Sequence, residues 1–145
     1  MGTHASVSTN ISQVFKDGET TFVKFTGVQA GSPGMVNLTE RPTRVTITEP
    51  GVYHLVGGGG FTTGTATGRV VAWLRKNGNN IPFGGQAVPI TNQGAYSEFS
   101  AKAEVVLPLW PGDYIELVIN QKTGYDQSFN YNPWQLGHLM VTQIS

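Results

Sequence analysis

The residues that could do chemistry are few and widely spaced. A catalytic Ser or Thr needs a base within reach, and the only imidazoles are His4, His54 and His138. His4 lies in a polar segment. His54 and His138 sit among apolar residues in strand-like runs, where an imidazole is more often structural than basic. No Gly-x-Ser-x-Gly elbow occurs. The carboxylates Asp17, Glu19, Glu40, Glu49, Glu98, Glu104, Asp113, Glu116 and Asp126 never group at calcium-loop spacing, and neither His-x-His nor His-Glu-x-x-His occurs. Gly57–Gly60, with Gly64 and Gly68, has the glycine content of a phosphate loop, but no Gly-Lys-Ser/Thr and no helical pattern follows. It reads as a strand whose small residues admit a bulge, another backbone or a large aromatic. No catalytic residue, metal or cofactor is expected, and the chain does not read as an enzyme.

One stretch has the composition of a binding loop. Tyr125–Trp134 (YDQSFNYNPW) interleaves aromatics with carboxylate and amide groups. Aromatic faces stack on the C–H faces of sugars, while amides and carboxylates bond their hydroxyls. A glycan or receptor contact would use Tyr125, Asp126, Phe129, Tyr131 and Trp134. The bland alternative is a loop whose aromatics pack on a neighbouring subunit.

The bulk composition limits the partners. Lys and Arg number 9, as do Asp and Glu, so the formal net charge is zero and no field steers a polyanion. Nucleic acid is therefore not an expected partner. Charged residues make up 12% of the chain, roughly half the usual share of about 25%, which leaves little repulsion between copies. Cysteine is absent, excluding disulfides, thiolate metal sites and cysteine nucleophiles. No apolar run approaches the roughly 20 residues of a membrane-crossing helix. The first residues lack the basic start and apolar run of a secretory signal, and Met1-Gly2 with Ser6 matches the myristoylation pattern only as a short chance motif.

The elements that must position these residues are strands. Residues 1–20 are polar apart from Ile11, Val14 and Phe15 and are expected to form an N-terminal arm, with those three as its attachment residues. From Thr21 to the last residue, 145, short runs rich in β-branched and aromatic residues alternate with Gly, Pro, Asn and Asp, as in a single all-β domain. The runs are Thr21–Thr26, Met35–Leu38, Arg44–Thr48, Gly51–Val56, Gly68–Lys76, Gln86–Ile90, Tyr96–Leu107, Asp113–Asn120 and Leu136–Ile144. In Asp113–Asn120, Ile115, Leu117 and Ile119 share one face. Arg69–Arg75 has apolar residues on both faces and is expected to be buried on both, either within the domain or against another subunit. Asn77-Gly78 predicts a tight hairpin turn, and Pro50-Gly51 and Pro111-Gly112 predict two more turns.

Two cassettes carry a family resemblance. RVTITEPGVYHL (Arg44–Leu55) precedes GRVVAWLRKNG (Gly68–Gly78), and VVLPLWPGDYIELVIN (Val105–Asn120) precedes QLGHLMVTQI (Gln135–Ile144). Their order resembles the globular head of complement component q and tumour-necrosis-factor-like proteins, in the divergent form found in bacterial surface and phage virion proteins. The resemblance covers roughly Thr43–Ile144. It implies an antiparallel two-sheet jelly roll of about ten strands without significant helix, assembled as a homotrimer around a threefold axis. Surplus aromatics fit that assembly, with Tyr53, Trp73, Tyr96, Phe99 and Tyr114 as expected contact residues. No Gly-X-Y repeat is present, so tethering is expected to fall to residues 1–20. The implied setting is a virion surface, with a capsid or tail protein as partner. The alternative is a glycan- or receptor-binding head on a phage fibre or bacterial surface.

Overall fold

A computed structural model of the chain describes residues 2–10, 12–63, 68–90, 97–129 and 136–145, with backbone alone at 62–63, 90 and 97–99. Ten strands are assigned: β1 His4–Ser8, β2 Thr20–Phe22, β3 Gly27–Gly31, β4 Val45–Thr46, β5 Gly51–Thr63, β6 Gly68–Lys76, β7 Asn79–Ile90, β8 Ser97–Leu109, β9 Tyr114–Lys122 and β10 His138–Gln143. No helix occurs among the described residues. One sheet runs β3-β1-β10-β5-β8 and the other β2-β9-β6-β7, and every pairing is antiparallel. Because β6 occupies one edge of β9, the short strands β2 and β4 share its other edge, at opposite ends. The predicted antiparallel jelly-roll sandwich is the observed architecture.

Alternation explains the packing. Val70, Ala72 and Leu74 of β6 and Ile115, Leu117 and Ile119 of β9 are buried, and they face Tyr53, Leu55, Leu139 and Val141 of the opposite sheet in one core. The other side of β6 is not fully covered: Val71, Trp73 and Arg75 are half-buried, so the predicted two-sided burial holds only in part. Asn77 (φ 52°) and Gly78 (φ 85°) supply the two positive φ values of the predicted hairpin turn. Gly51 serves another purpose than turning. A Cβ there would lie 2.5 Å from the Ser145 carbonyl oxygen, so the residue admits the C-terminal backbone.

Described residues between 2 and 20 form part of the sandwich where an arm was expected. β1 lies between β3 and β10, with Ala5, Val7 and Thr9 buried. Phe15 is fully buried and exchanges both backbone hydrogen bonds with Gln127, at 2.7 and 3.0 Å. The buried Gln121 amide donates to the carbonyls of Phe15 (2.8 Å) and Tyr125 (2.7 Å) and accepts from Thr123 Oγ1 (2.7 Å). The Asp17 carboxylate accepts from the Thr123 and Gly124 amides at 2.9 and 2.8 Å. The bonds of Phe15 and Asp17 fasten the N-terminal segment to residues 121–127, and those from Gln121 to Tyr125 and from Thr123 to Gln121 brace that stretch internally. The polar composition that suggests an arm is instead an outer strand face plus a satisfied internal network.

Candidate binding surfaces

The sandwich offers two outer faces. Strand parity places His4, His54 and His138 together on the outer face of the five-stranded sheet. His4 is opposite Thr142, which is opposite His54, and His138 is opposite both Ser8 and Gly58. This shared face was not foreseen, although the alternation signal was present: each histidine adjoins inward-facing residues such as Ala5, Tyr53 or Leu139. His54 Nε2 lies 2.5 Å from Glu104 Oε2 across the β5–β8 ladder. Around them the face carries Met140 (45% exposed) and Val106 (54% exposed), and Gly58 and Gly60 of β5 add no side chain to it. Nothing in this arrangement pairs a nucleophile with a base, and among the described residues no group of three potential metal ligands converges.

Burial pushes the His138 imidazole below its ordinary value, and nearby Lys102 pushes the same way, against a weak hydrogen bond to the Leu136 carbonyl. The folded state therefore binds its proton less readily than the unfolded chain. The contribution of His138 to stability is complete above about pH 6.5 and is lost as pH falls through the lowered folded value. The melting temperature is thus expected to fall between pH 7.5 and pH 5, and less so in a His138→Gln variant. An equal fall in both proteins would assign the effect elsewhere.

The outer face of the four-stranded sheet has a different character. Phe22, Val118, Trp73 and Gly85 stand side by side across all four strands. Gly85 is required there, since a Cβ would lie 2.0 Å from the Trp73 ring. Below this stripe the Arg44 guanidinium lies 3.8 Å from the Tyr114 ring centroid and 3.8 Å from Glu116 Oε2, while Thr43 donates to the same oxygen at 2.5 Å. At the rim, partial burial raises the Asp113 carboxyl, but hydrogen bonds from Asn77 Nδ2 and the Trp110 amide, with Lys76 nearby, outweigh it and hold the group below the usual carboxylate value.

The expected contact residues separate. Tyr53 points into the core, and its hydroxyl is used by Thr3 Oγ1 (2.9 Å) and the Glu49 carbonyl (2.7 Å), so it cannot line a subunit contact. Trp73 and Tyr114 lie on the four-stranded sheet and share no face with it. Tyr96 lies outside the described residues, and of Phe99 only the backbone is described, paired with Phe61. In the aromatic loop, Tyr125 is 57% exposed, and Asp126 accepts a hydrogen bond from the Asp17 amide. Phe129 is buried and withdrawn from any glycan contact. It stacks on Phe61 (5.3 Å, 10°) and tilts against Phe15 (4.7 Å). Tyr131 and Trp134 lie outside the described residues, as does Ile11 of the expected arm. Val14 is 51% exposed.

Two antiparallel sheets in this order, with β10 lying between β1 and β5, make a jelly-roll sandwich. The chain superposes along almost its whole length on murine APRIL at pH 5.0, with a TM-score of 0.69 and 14% identity over 99% of this chain and 100% of that one. The globular domain of zebrafish complement 1qA protein aligns with a TM-score of 0.59 and 16% identity, over 98% and 96% of the two chains. The sequence itself matches no protein-family model and no curated protein. What these likenesses share with the chain is the fold.

Proposed function

We propose that the chain is a non-enzymatic module that acts as a homotrimer, and that copies meet through the outer face of the five-stranded sheet. The observation that carries this reading is the character of that face. It is low in charge, and Met140 and Val106 stand exposed on it. Glu104, one of its few charges, is already engaged by His54. Such a face gains from being covered. The jelly-roll head that the sequence resembles implies the same assembly.

Light scattering at micromolar concentration is expected to give three times the 15.6 kDa chain mass. Val106→Glu should return the protein to the mass of one chain. A wild-type monomer overturns the trimer, whereas a trimeric Val106→Glu variant overturns the choice of face.

The setting we propose is a virion surface, as a capsid-decoration, head-fibre or tail-tip head bound to a capsid or tail protein. The resemblance to phage versions of the head and the low charge support it. Attachment through residues 1–20 is set aside, because β1 and Phe15 are part of the fold. Neighbouring genes for capsid or tail proteins would agree with this setting. A second reading, a glycan- or receptor-binding head on a phage fibre or bacterial surface, is favoured by the exposure of Tyr125 beside Asp126. Neighbouring cell-wall genes would favour that one.

A further inference from the structure

We propose that the outer face of the four-stranded sheet holds a binding site for an acidic sugar, a pyranose ring bearing a carboxylate, with Trp73 as its platform and Arg69 as its charge partner. The site would be complete in one copy of the chain and does not depend on trimerisation.

A cavity of about 230 Å³ opens on this face. That is smaller than the roughly 300–1,000 Å³ of sites for drug-sized ligands and suits a single ring. Its apolar lining is Trp73, Val71 and Val118, from adjacent strands β6 and β9. This is the surface on which the C–H face of a sugar stacks. The indole ring is held in place by its contact over Gly85. Its N–H is buried and has no hydrogen-bond partner among the described residues.

The polar groups at the rim have capacity to spare. Asn120 Nδ2 donates to Thr20 Oγ1 at 3.0 Å, which leaves the Asn120 carbonyl as an acceptor and the Thr20 hydroxyl hydrogen as a donor. Asn80 Oδ1 accepts from Arg75 Nε at 2.8 Å, leaving the Asn80 amide hydrogens. Sugar hydroxyls need both kinds of partner.

The charge selects an anion. Arg69 lines the cavity, is exposed, and has no ion-pair or hydrogen-bond partner among the described residues. Lys122 stands directly opposite it and is likewise unpaired. Glu116, the carboxylate on this face, is occupied by Arg44 and Thr43. Arg69 and Trp73 are four residues apart on one strand face, about 13 Å at the usual rise per residue. With a guanidinium reaching inward from one end and an indole at the other, that span brackets one ring with its carboxylate toward Arg69.

The test is NMR titration of the ¹⁵N-labelled protein, read at the indole N–H signals of its three tryptophans, with Trp73→Phe identifying the relevant peak. Glucuronic acid and 3′-sialyllactose at millimolar concentration are expected to move the Trp73 signal, while lactose and sodium acetate leave it in place. Arg69→Gln alters an exposed side chain and should keep the melting temperature while weakening binding about tenfold. An equal response to lactose removes the charge argument, and an equal response to acetate removes the sugar. No shift with any probe, or full affinity in Arg69→Gln, overturns the site. A drop in oligomer mass with Arg69→Glu would show instead that a second copy covers this face, and would also overturn it.

Discussion

A chain lacking residues 1–20 is expected not to fold, with no cooperative melting transition and a dispersion-free amide spectrum. The deletion takes β1 from between β3 and β10, so both lose a row of backbone partners. It also removes Ala5, Val7, Thr9 and Phe15 from the interior. Truncating a buried Phe alone costs about 3–5 kcal/mol. Losing the Asp17 carboxylate and the Phe15 carbonyl strips partners from the buried Gln121 and from the amides of Thr123 and Gly124. These losses together match or exceed the roughly 5–15 kcal/mol that holds a domain of this size folded. A truncated protein that still melts cooperatively would show that β1 is dispensable. Phe15→Ala offers a milder measurement, with an expected loss of about 3–5 kcal/mol by urea denaturation.

Gly59 and Phe129 are expected to be coupled more strongly than any other pair in the aromatic cluster. A Cβ on Gly59 would lie 2.1 Å from Phe129 Cε1, and one on Gly137 would lie 2.5 Å from Phe129 Cε2, so the ring fills the space left by two missing side chains. Gly59→Ala drives a methyl into a ring that cannot retreat, because Phe61 and Phe15 pack against it. The expected cost is about 3 kcal/mol, the upper end for overpacking. Phe129→Ala opens a cavity and should cost about 3–5 kcal/mol. In the double variant the methyl occupies space the ring has vacated, so the combined loss should fall short of the sum by about 1–3 kcal/mol. Simple additivity in denaturant titrations would mean that the ring and the glycine do not meet as described.

The sheets were largely legible where a strand has one wet face and one dry face. β6 coincides with the run Gly68–Lys76, and the inward set of β9 follows from its alternation. β1 and β3 escaped because HASVS and GVQAG carry too few large apolar side chains to announce a strand; their neighbours in the sheet decide their conformation. β5 continues through four glycines that have weak intrinsic strand preference; β8 pairs with all four, and β10 also pairs with Gly57 and Gly58. The binding residues were harder to place. Tyr53 and His54 are adjacent yet lie on opposite sides of one sheet, so an aromatic count cannot say which of them is available. Tyr125 and Phe129 come from one turn-rich stretch without a period, and one is exposed while the other is sealed in the core. The cavity beside Trp73 is assembled from β2, β6, β7 and β9, which no local window of sequence contains.

The strand order of the larger sheet governs how the molecule comes into being. β10 is the tenth strand along the chain but the middle one of its sheet, with β3-β1 on one side and β5-β8 on the other. Without residues 138–143 the two pairs have no strand to join them, and β1 and β5 each lack a partner on one edge. Their closure joins His4–Ser8 to residues more than a hundred positions away, a long-range pairing of the kind that folds in milliseconds to seconds and not microseconds.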